Sequence, residues 1–307
     1  MAIRDYLAPR PRIASALAGV TRRVGARGLA AKLQRLSTEL VVVDIPRSDA
    51  TIRMLTRGGR DQIAAHLQSD GWTGFEHPMP SVFAACVAAF AGNTLDVGAN
   101  TGFYSVVATA VSASTKVIAF EPFPPVAFDL QSTLRLNRCT ARVTVEPFAV
   151  SDAIGEATLF IPLQDHGLIE TSASLSGDFK SEFSEAISVP VTTIDAYDAA
   201  HPSGPVSVIK IDVESLEAKV FAGGAAVVAR DRPIVFFEVL PQGDVETIES
   251  FRATHDYVDM RLRETEVVIG DAVCFDQAAW NHALVPAEKT DAVRAILKPI
   301  GLSVQSA

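Results

Sequence analysis

The chain has 307 residues, 48% of them hydrophobic and 21% charged, which is enough apolar material for a sizeable core and excludes bulk disorder. The net charge of −9 argues against a general nucleic-acid binder, which needs a basic surface. That average hides a division: residues 1–60 carry eleven Arg and one Lys against four acidic residues, a net of +8, and the rest carries −17.

In chain order, residues 13–36 suggest a helix with Ala and Leu on one face and Arg22, Arg23, Arg27, Lys32 and Arg35 elsewhere, weakened by Gly19, Gly25 and Gly28. Two β-like runs, Leu40–Ile45 and Thr51–Thr56, flank a polar turn and predict a hairpin. Short helices are expected at Arg60–Gln68 and Ser81–Phe90. From there strand and helix alternate. Strands are predicted at Thr94–Val97, Lys116–Phe120, Arg142–Glu146, Val206–Ile211 and Ile234–Glu238. Helices are predicted at Phe103–Val111, Val126–Asn137, Leu216–Ala229 and Val245–His255. Two further strands, Ala157–Ile161 and Val189–Thr193, flank a long polar segment, and two or three more fall within Tyr257–Val285. This alternation means an α/β fold on a mostly parallel sheet, with an antiparallel edge near the C-terminus.

Cys86, Cys139 and Cys274 are odd in number and far apart, so they read as buried free thiols of a reducing, cytoplasmic protein. No apolar run is long enough to span a membrane. An organelle transit peptide would also be Arg-rich, but Ser is sparse at the start, and Pro9 and Pro11 break an early helix.

The most informative stretch is Asp96–Ser105 (DVGANTGFYS), where a strand turns into a helix. Ligands of open α/β sheets bind outside the carboxyl ends of the strands. Gly98 and Gly102 clear room for close approach, and the helix N-terminus offers free N–H groups. Asp96 at the strand end suits a cationic amino group. Glu121, ending the next strand, can accept hydrogen bonds from both hydroxyls of a ribose. The glycines read G-x-x-x-G, which misses the dinucleotide fingerprint, and no P-loop is present. An amino-acid end plus a ribose points to S-adenosylmethionine.

Asp96–Ser105 is followed in order by Phe120–Pro122 (FEP), Ala149–Asp152 (AVSD), Lys210–Glu214 (KIDVE) and Phe237–Glu238. Together these resemble the FkbM family of S-adenosylmethionine-dependent methyltransferases, from about Gly92 to Val239 and more weakly at Asn281–Pro286. The resemblance implies a Rossmann-like class I methyltransferase domain over 76–307, with 1–75 as a basic extension of helix and hairpin. It also implies O-methylation of a hydroxyl on a sugar, glycan or other natural-product acceptor. Carried over, Asp96, Gly98, Asn100 and Gly102 hold the methionine part of the cofactor, Glu121 binds the ribose, and Ala149 and Ser151 lie near the adenine. Asp212 faces the methyl group and the acceptor. The family usually has Gly where this chain has Ser215, although Glu217 is kept; a Ser there can cap a helix.

A protonated alcohol is a poor nucleophile, so a base or a metal has to help. Asp212, Glu214 and Glu238, at the ends of adjacent strands, are the candidates, as bases or as oxygen ligands for Mg or Ca. Glu214 and Glu238 could equally only orient loops. The polar segment Pro162–Ser188 reads as an acceptor-site wall or lid with Ser172 and Ser174, and His166 within it is a further candidate base. The remaining histidines lack zinc-ligand spacing. Trp72, Phe75 and Trp280 read as packing residues, or as an aromatic platform for a sugar. Two other classes stay open: a binding protein that has lost turnover, hinted at by Ser215, and a nicotinamide-dependent oxidoreductase, disfavoured by the missing third glycine. The basic head could dock to an anionic surface or partner. The sequence leaves the oligomeric state open.

Overall fold

The structure is a computed structural model. It describes residues 40–57, 59–162 and 183–306, together with Leu17, Val20 and Thr21. The rest of the basic helix expected at 13–36, and Ser172, Ser174 and His166, lie outside the described residues.

Nine strands form the main sheet, in the order β14-β12-β11-β13-β10-β9-β3-β4-β5. Its parallel half is β3 (Asn93–Val97), β4 (Val117–Phe120), β5 (Val143–Glu146), β9 (Val206–Ile211) and β10 (Ile234–Glu238). The chain runs outward from β3 to β5 and then returns to place β9 on the other side of β3, which creates a switch point above the ends of β3 and β9. β13 (Asn281–Pro286) lies antiparallel between β10 and β11 (Tyr257–Leu262). β12 (Glu266–Gly270) pairs antiparallel with β11, and β14 (Ser303–Ser306) closes the edge parallel to β12. The antiparallel region was expected; the parallel edge strand β14 was not.

Side chains alternate between the two faces of the sheet. Leu95, Val97, Ile209, Ile211, Val235 and Phe237 pack on one face. That face is covered by α5 (Ile194–Ala200), α6 (Glu217–Gly223), α7 (Ala225–Asp231) and α8 (Val245–Thr254). Val208, Ile234 and Phe236 pack on the other. There they meet α1 (Gln62–Asp70), α2 (Met79–Ala89), α3 (Phe103–Val111) and α9 (Thr290–Leu297). α4 (Pro124–Leu136) sends Leu130 and Leu134 into the same core.

The helix predicted at Leu216–Ala229 is two helices, broken at Gly224. Gly223 explains the local packing: an added Cβ would overlap the Ser151 carbonyl oxygen. A third helix, α5, escaped the sequence reading because it is only seven residues long, although Thr193 caps it by accepting from the Ala196 N–H at 3.0 Å. A small second sheet, β6 (Ala149–Val150), β8 (Phe183–Thr192) and β7 (Gly155–Pro162), flanks the end of β5. β7 and β8 pair from Gly155↔Val191 to Pro162↔Phe183, so the expected polar connection is shorter than 162–188.

The hairpin β1 (Leu40–Asp44) and β2 (Thr51–Leu55) forms as predicted. Val41, Val43, Ile52 and Met54 join the core shared by α1, α2 and α3. The outer edge of β2 is satisfied by one side chain: the Arg53 N–H donates to Asn137 Oδ1 (2.8 Å), and Asn137 Nδ2 donates to the Arg53 carbonyl (2.7 Å). This pairs the backbone of Arg53, in the middle of that edge. Arg57 pairs with Asp129 on α4 at 2.6 Å. Cys86 and Cys139 are buried as expected, whereas Cys274 is exposed.

Candidate active site

The turn after β3 is fixed by backbone geometry. The N–H groups of Gly98 and Ala99 donate to the Phe120 carbonyl, and the Asp212 N–H donates to the Val97 carbonyl. Gly98 has φ +73, and a Cβ there would overlap the Asp212 carbonyl oxygen, so only glycine fits both demands. Gly102, at φ +93, starts α3.

Glu121 ties this turn to the next strand end. Its Oε2 accepts from the Asn100 N–H and its Oε1 from the Phe123 N–H, both at 2.9 Å. Burial outweighs these bonds and pushes its carboxyl up to about 7. Each oxygen keeps a second lone pair.

Two crevices open above the switch point. The first crosses the sheet from Asp212 through Gly98 and Glu121 to Phe148 and Ala149, with Leu159 of β7 on its wall. The second lies on the side of α1 and α3. Its wall includes Phe75, Glu76, Tyr104, Lys210 and Glu238. Asn100, Asp212 and Glu214 line both crevices.

Strand alternation explains the second crevice's charge. Asp96, Lys210 and Glu238 project to the same face, and Asp96 is paired in register with Lys210. Lys210 Nζ donates to Asp212 Oδ2 at 2.8 Å and lies 5.0 Å from the Tyr104 ring centre. Burial works against the Lys210 ammonium, but Asp212, Asp96 and Glu76 outweigh it and hold it above the ordinary lysine range. Tyr104 Oη donates to Glu76 Oε2 at 2.5 Å. Burial raises the Glu76 carboxyl to about 7 and that of Glu238 to about 9, with Asp212 adding repulsion at both. Glu238 therefore holds its proton at neutral pH. The Asp212 side chain is 26% exposed and that of Lys210 is 4%, so the carboxylate faces the crevices while its partner is buried.

Not every candidate reaches a crevice wall. Asp96 lies beneath the floor, 1% exposed, with Oδ2 accepting from Ser105 Oγ at 2.6 Å and Oδ1 without a partner. Gly102 lines neither crevice, since its place is the start of α3. Ser151 lies in a shallow depression beside Asp152 and Lys219, where its hydroxyl donates to Asp152 Oδ1 at 3.0 Å. Ser215 caps nothing: α6 begins after Leu216, and the Ser215 Oγ is buried without a partner. Glu217 holds this turn instead, its Oε1 accepting from the Val213 N–H at 3.1 Å. Trp72 packs against Phe103, while Trp280 is exposed on an outer groove. Among the described residues, no three His, Cys, Asp or Glu side chains converge with the spacing of a metal site.

A family model described as the methyltransferase FkbM domain matches residues 96–265, more than half of the chain. The chain belongs to the FkbM methyltransferase family. The sheet order of this FkbM methyltransferase, with β13 antiparallel beside β10, is the Rossmann-like class I arrangement expected from the motifs. Among solved structures, the FkbM methyltransferase of Methylobacillus flagellatus KT is similar at 14% identity, over 75% of this chain and 53% of that one, with a TM-score of 0.42. The chain thus spans about half the length of that protein. An S-adenosylmethionine-dependent O-methyltransferase of Thermotoga maritima shares 13% identity over 68% of this chain and 65% of that one, with a TM-score of 0.36. TYW2 of M. jannaschii, solved in complex with AdoMet, shares 8% identity over 80% of this chain and 84% of that one, with a TM-score of 0.38. No curated protein matches the sequence. No helix among the described residues is long and apolar enough to cross a membrane.

The family implies S-adenosylmethionine, and the first crevice fits it. A polar turn stands at one end, a buried carboxylate with spare lone pairs in the middle, and Phe123, Phe148 and Leu159 at the apolar end. Sequence reasoning missed Glu76 and gave no role to Lys210 or Tyr104. A lysine in the apolar run Val206–Ile211 was a visible signal, because buried lysines are rare unless paired. Glu76 sits outside every family motif, and only the fold brings it to the site.

Proposed function

We propose that this FkbM methyltransferase transfers a methyl group to a hydroxyl of a sugar, glycan or related natural-product acceptor. The observation that carries the reading is Asp212, which lines both crevices and is paired to the buried Lys210. In this reading Gly98, Asn100, Glu121 and Ala149 hold the cofactor in the first crevice, and the acceptor enters the second. Asp96 acts from below, through Ser105 and its charge on Lys210.

S-adenosylmethionine, when bound, supplies an electrophilic methyl group on a sulfonium. The protein's part is to align the acceptor, exclude water and receive a proton. Asp212 accepts the hydroxyl proton as the oxygen gains its methyl group, and Lys210 holds the aspartate side chain in place through their 2.8 Å contact. Glu238 holds its proton at neutral pH and so orients the acceptor rather than serving as the base. The test measures S-adenosylhomocysteine formation across a panel of hydroxylated acceptors. Asp212→Asn is expected to bind S-adenosylhomocysteine normally and to lose about 100-fold or more in turnover. Glu121→Ala is expected to lose cofactor binding itself. Full turnover by Asp212→Asn would refute the assignment.

A further inference from the structure

Glu76 and Glu238 line both the second crevice and an outer groove, whose wall also carries Thr73, His77, Trp280 and Asn281. Sheet register sets the two in one line. Ile211 pairs with Phe237, and Glu238 pairs with Asn281, so Asp212, Glu238 and Asn281 stand at the ends of the adjacent strands β9, β10 and β13. With neighbouring strands ~4.8 Å apart, Asn281 lies about 10 Å from Asp212.

Packing does not account for Trp280. Its side chain is 48% exposed and has no hydrogen bond or ring contact among the described residues. Trp72, the only other tryptophan, is buried against Phe103 and bonded to Ser81. Yet the backbone under Trp280 is held firmly. Its carbonyl accepts from the Val239 N–H at 2.8 Å. In the same loop Asp276 accepts from the Ala278 and Ala279 N–H groups, and its Oδ2 pairs with Arg263 at 2.8 Å. A rigid, exposed indole offers a large contact area at little entropic cost.

Polar atoms flank the indole. His77 Nδ1 and Asn281 Oδ1 are buried and without a hydrogen-bond partner among the described residues, although both residues line the groove. Buried polar atoms are ordinarily paired, and the terminal torsions of these two side chains are soft enough to turn toward a ligand. An aromatic face edged by such groups suits a sugar ring, with C–H faces for the indole and hydroxyls at its rim. Among the described residues the groove wall holds no lysine or arginine, so a neutral sugar fits it and a phosphorylated or sulfated one does not.

We propose that the outer groove is a second sugar subsite, where Trp280 stacks on the neutral ring next to the one that is methylated. The acceptor is then an oligosaccharide rather than a free monosaccharide. This deepens the methyltransferase reading above and rests on it.

The test is titration calorimetry on the full chain saturated with S-adenosylhomocysteine, using a panel of neutral di- and trisaccharides and the monosaccharides that compose them. At least one oligosaccharide is expected to bind about tenfold tighter than its own monosaccharides, which is about 1.4 kcal/mol. The same ligand is expected to shield Trp280 from acrylamide quenching, a signal that buried Trp72 contributes little to. Trp280→Ala is expected to abolish the preference with S-adenosylhomocysteine affinity unchanged. The proposal is overturned if no oligosaccharide outbinds its monosaccharides at millimolar concentration, or if the preference survives in Trp280→Ala. Shielding of Trp280 by phosphatidylglycerol vesicles and by no sugar would assign the indole to a membrane surface and overturn it too. Failure of S-adenosylhomocysteine itself to bind would strike the methyltransferase reading instead.

Discussion

Glu238 gives the sharpest test of the site's electrostatics. Burial, then repulsion from Asp212 and Glu76, push its carboxyl from 4.5 up to about 9. Between those values the folded protein holds a proton that the unfolded chain has lost. Because the folded value is the raised one, this stability is fully present at acid pH, below the unfolded value, and is lost as pH rises through about 9. Glu76, Glu121 and Glu217 are pushed to about 7, so Glu238 is raised further than these three. A difference of one proton corresponds to about 1.4 kcal/mol per pH unit. Glu238→Gln keeps the shape and removes the titration, and groups common to both proteins cancel in the difference. Urea unfolding followed by the fluorescence of Trp72 and Trp280 is therefore expected to show the variant gaining about 1.4 kcal/mol over the wild type between about pH 7.5 and 8.5. Parallel stability curves across that interval would show that Glu238 is ionised in the folded state, and the electrostatic argument would fall.

Three further substitutions test the local geometry. Ser215→Gly is expected to raise stability by about 1 kcal/mol in the same assay, since it relieves a φ of +75 and removes a buried hydroxyl without a partner. Gly98→Ala is expected to cost more than about 2 kcal/mol and to weaken S-adenosylhomocysteine binding, because the methyl group overlaps the Asp212 carbonyl oxygen. Trp72→Ala is expected to cost about 3–5 kcal/mol by chemical denaturation. Trp72 is 6% exposed, and its Nε1 donates to Ser81 Oγ at 2.8 Å.

The parallel half of the fold was legible because each strand is a short apolar run bounded by turn residues. β9, β10 and α3 fall on their predicted boundaries. The cofactor crevice was legible for a related reason. Gly98 and Glu121 are separated by one strand–helix–strand unit, and register then brings their strand ends side by side. The second crevice was harder to read because its residues share no local pattern. Lys210 and Glu238 belong to different strands and meet Asp96 only through the sheet's alternation. Ser215 misled because its type suits a helix cap, whereas its backbone lies in the left-handed region at the position where the family usually has glycine.

The charge division of the sequence also changes meaning in three dimensions. Residues 1–60 read as a basic appendage whose hairpin could pack on the acidic catalytic domain, and the hairpin goes further, sharing one apolar core with α2 and α3. The segment that follows directly, from Gln62 to Glu76, is anchored by that core and forms one wall of the second crevice. Its placement depends on Trp72 packed against Phe103, which precedes Tyr104 on α3, so hairpin, wall and the Tyr104–Glu76 hydrogen bond are mechanically linked. A perturbation of the hairpin core should therefore reach the acceptor side before the cofactor side, because Glu121 and Gly98 are held by β4 and β9 rather than by the hairpin. Met54→Ala, which opens a void at a fully buried position on β2, is expected to weaken binding of acceptor-side ligands while S-adenosylhomocysteine affinity holds. Calorimetry with both ligands separates these effects, and equal losses in both would show that the two crevices are supported as one unit.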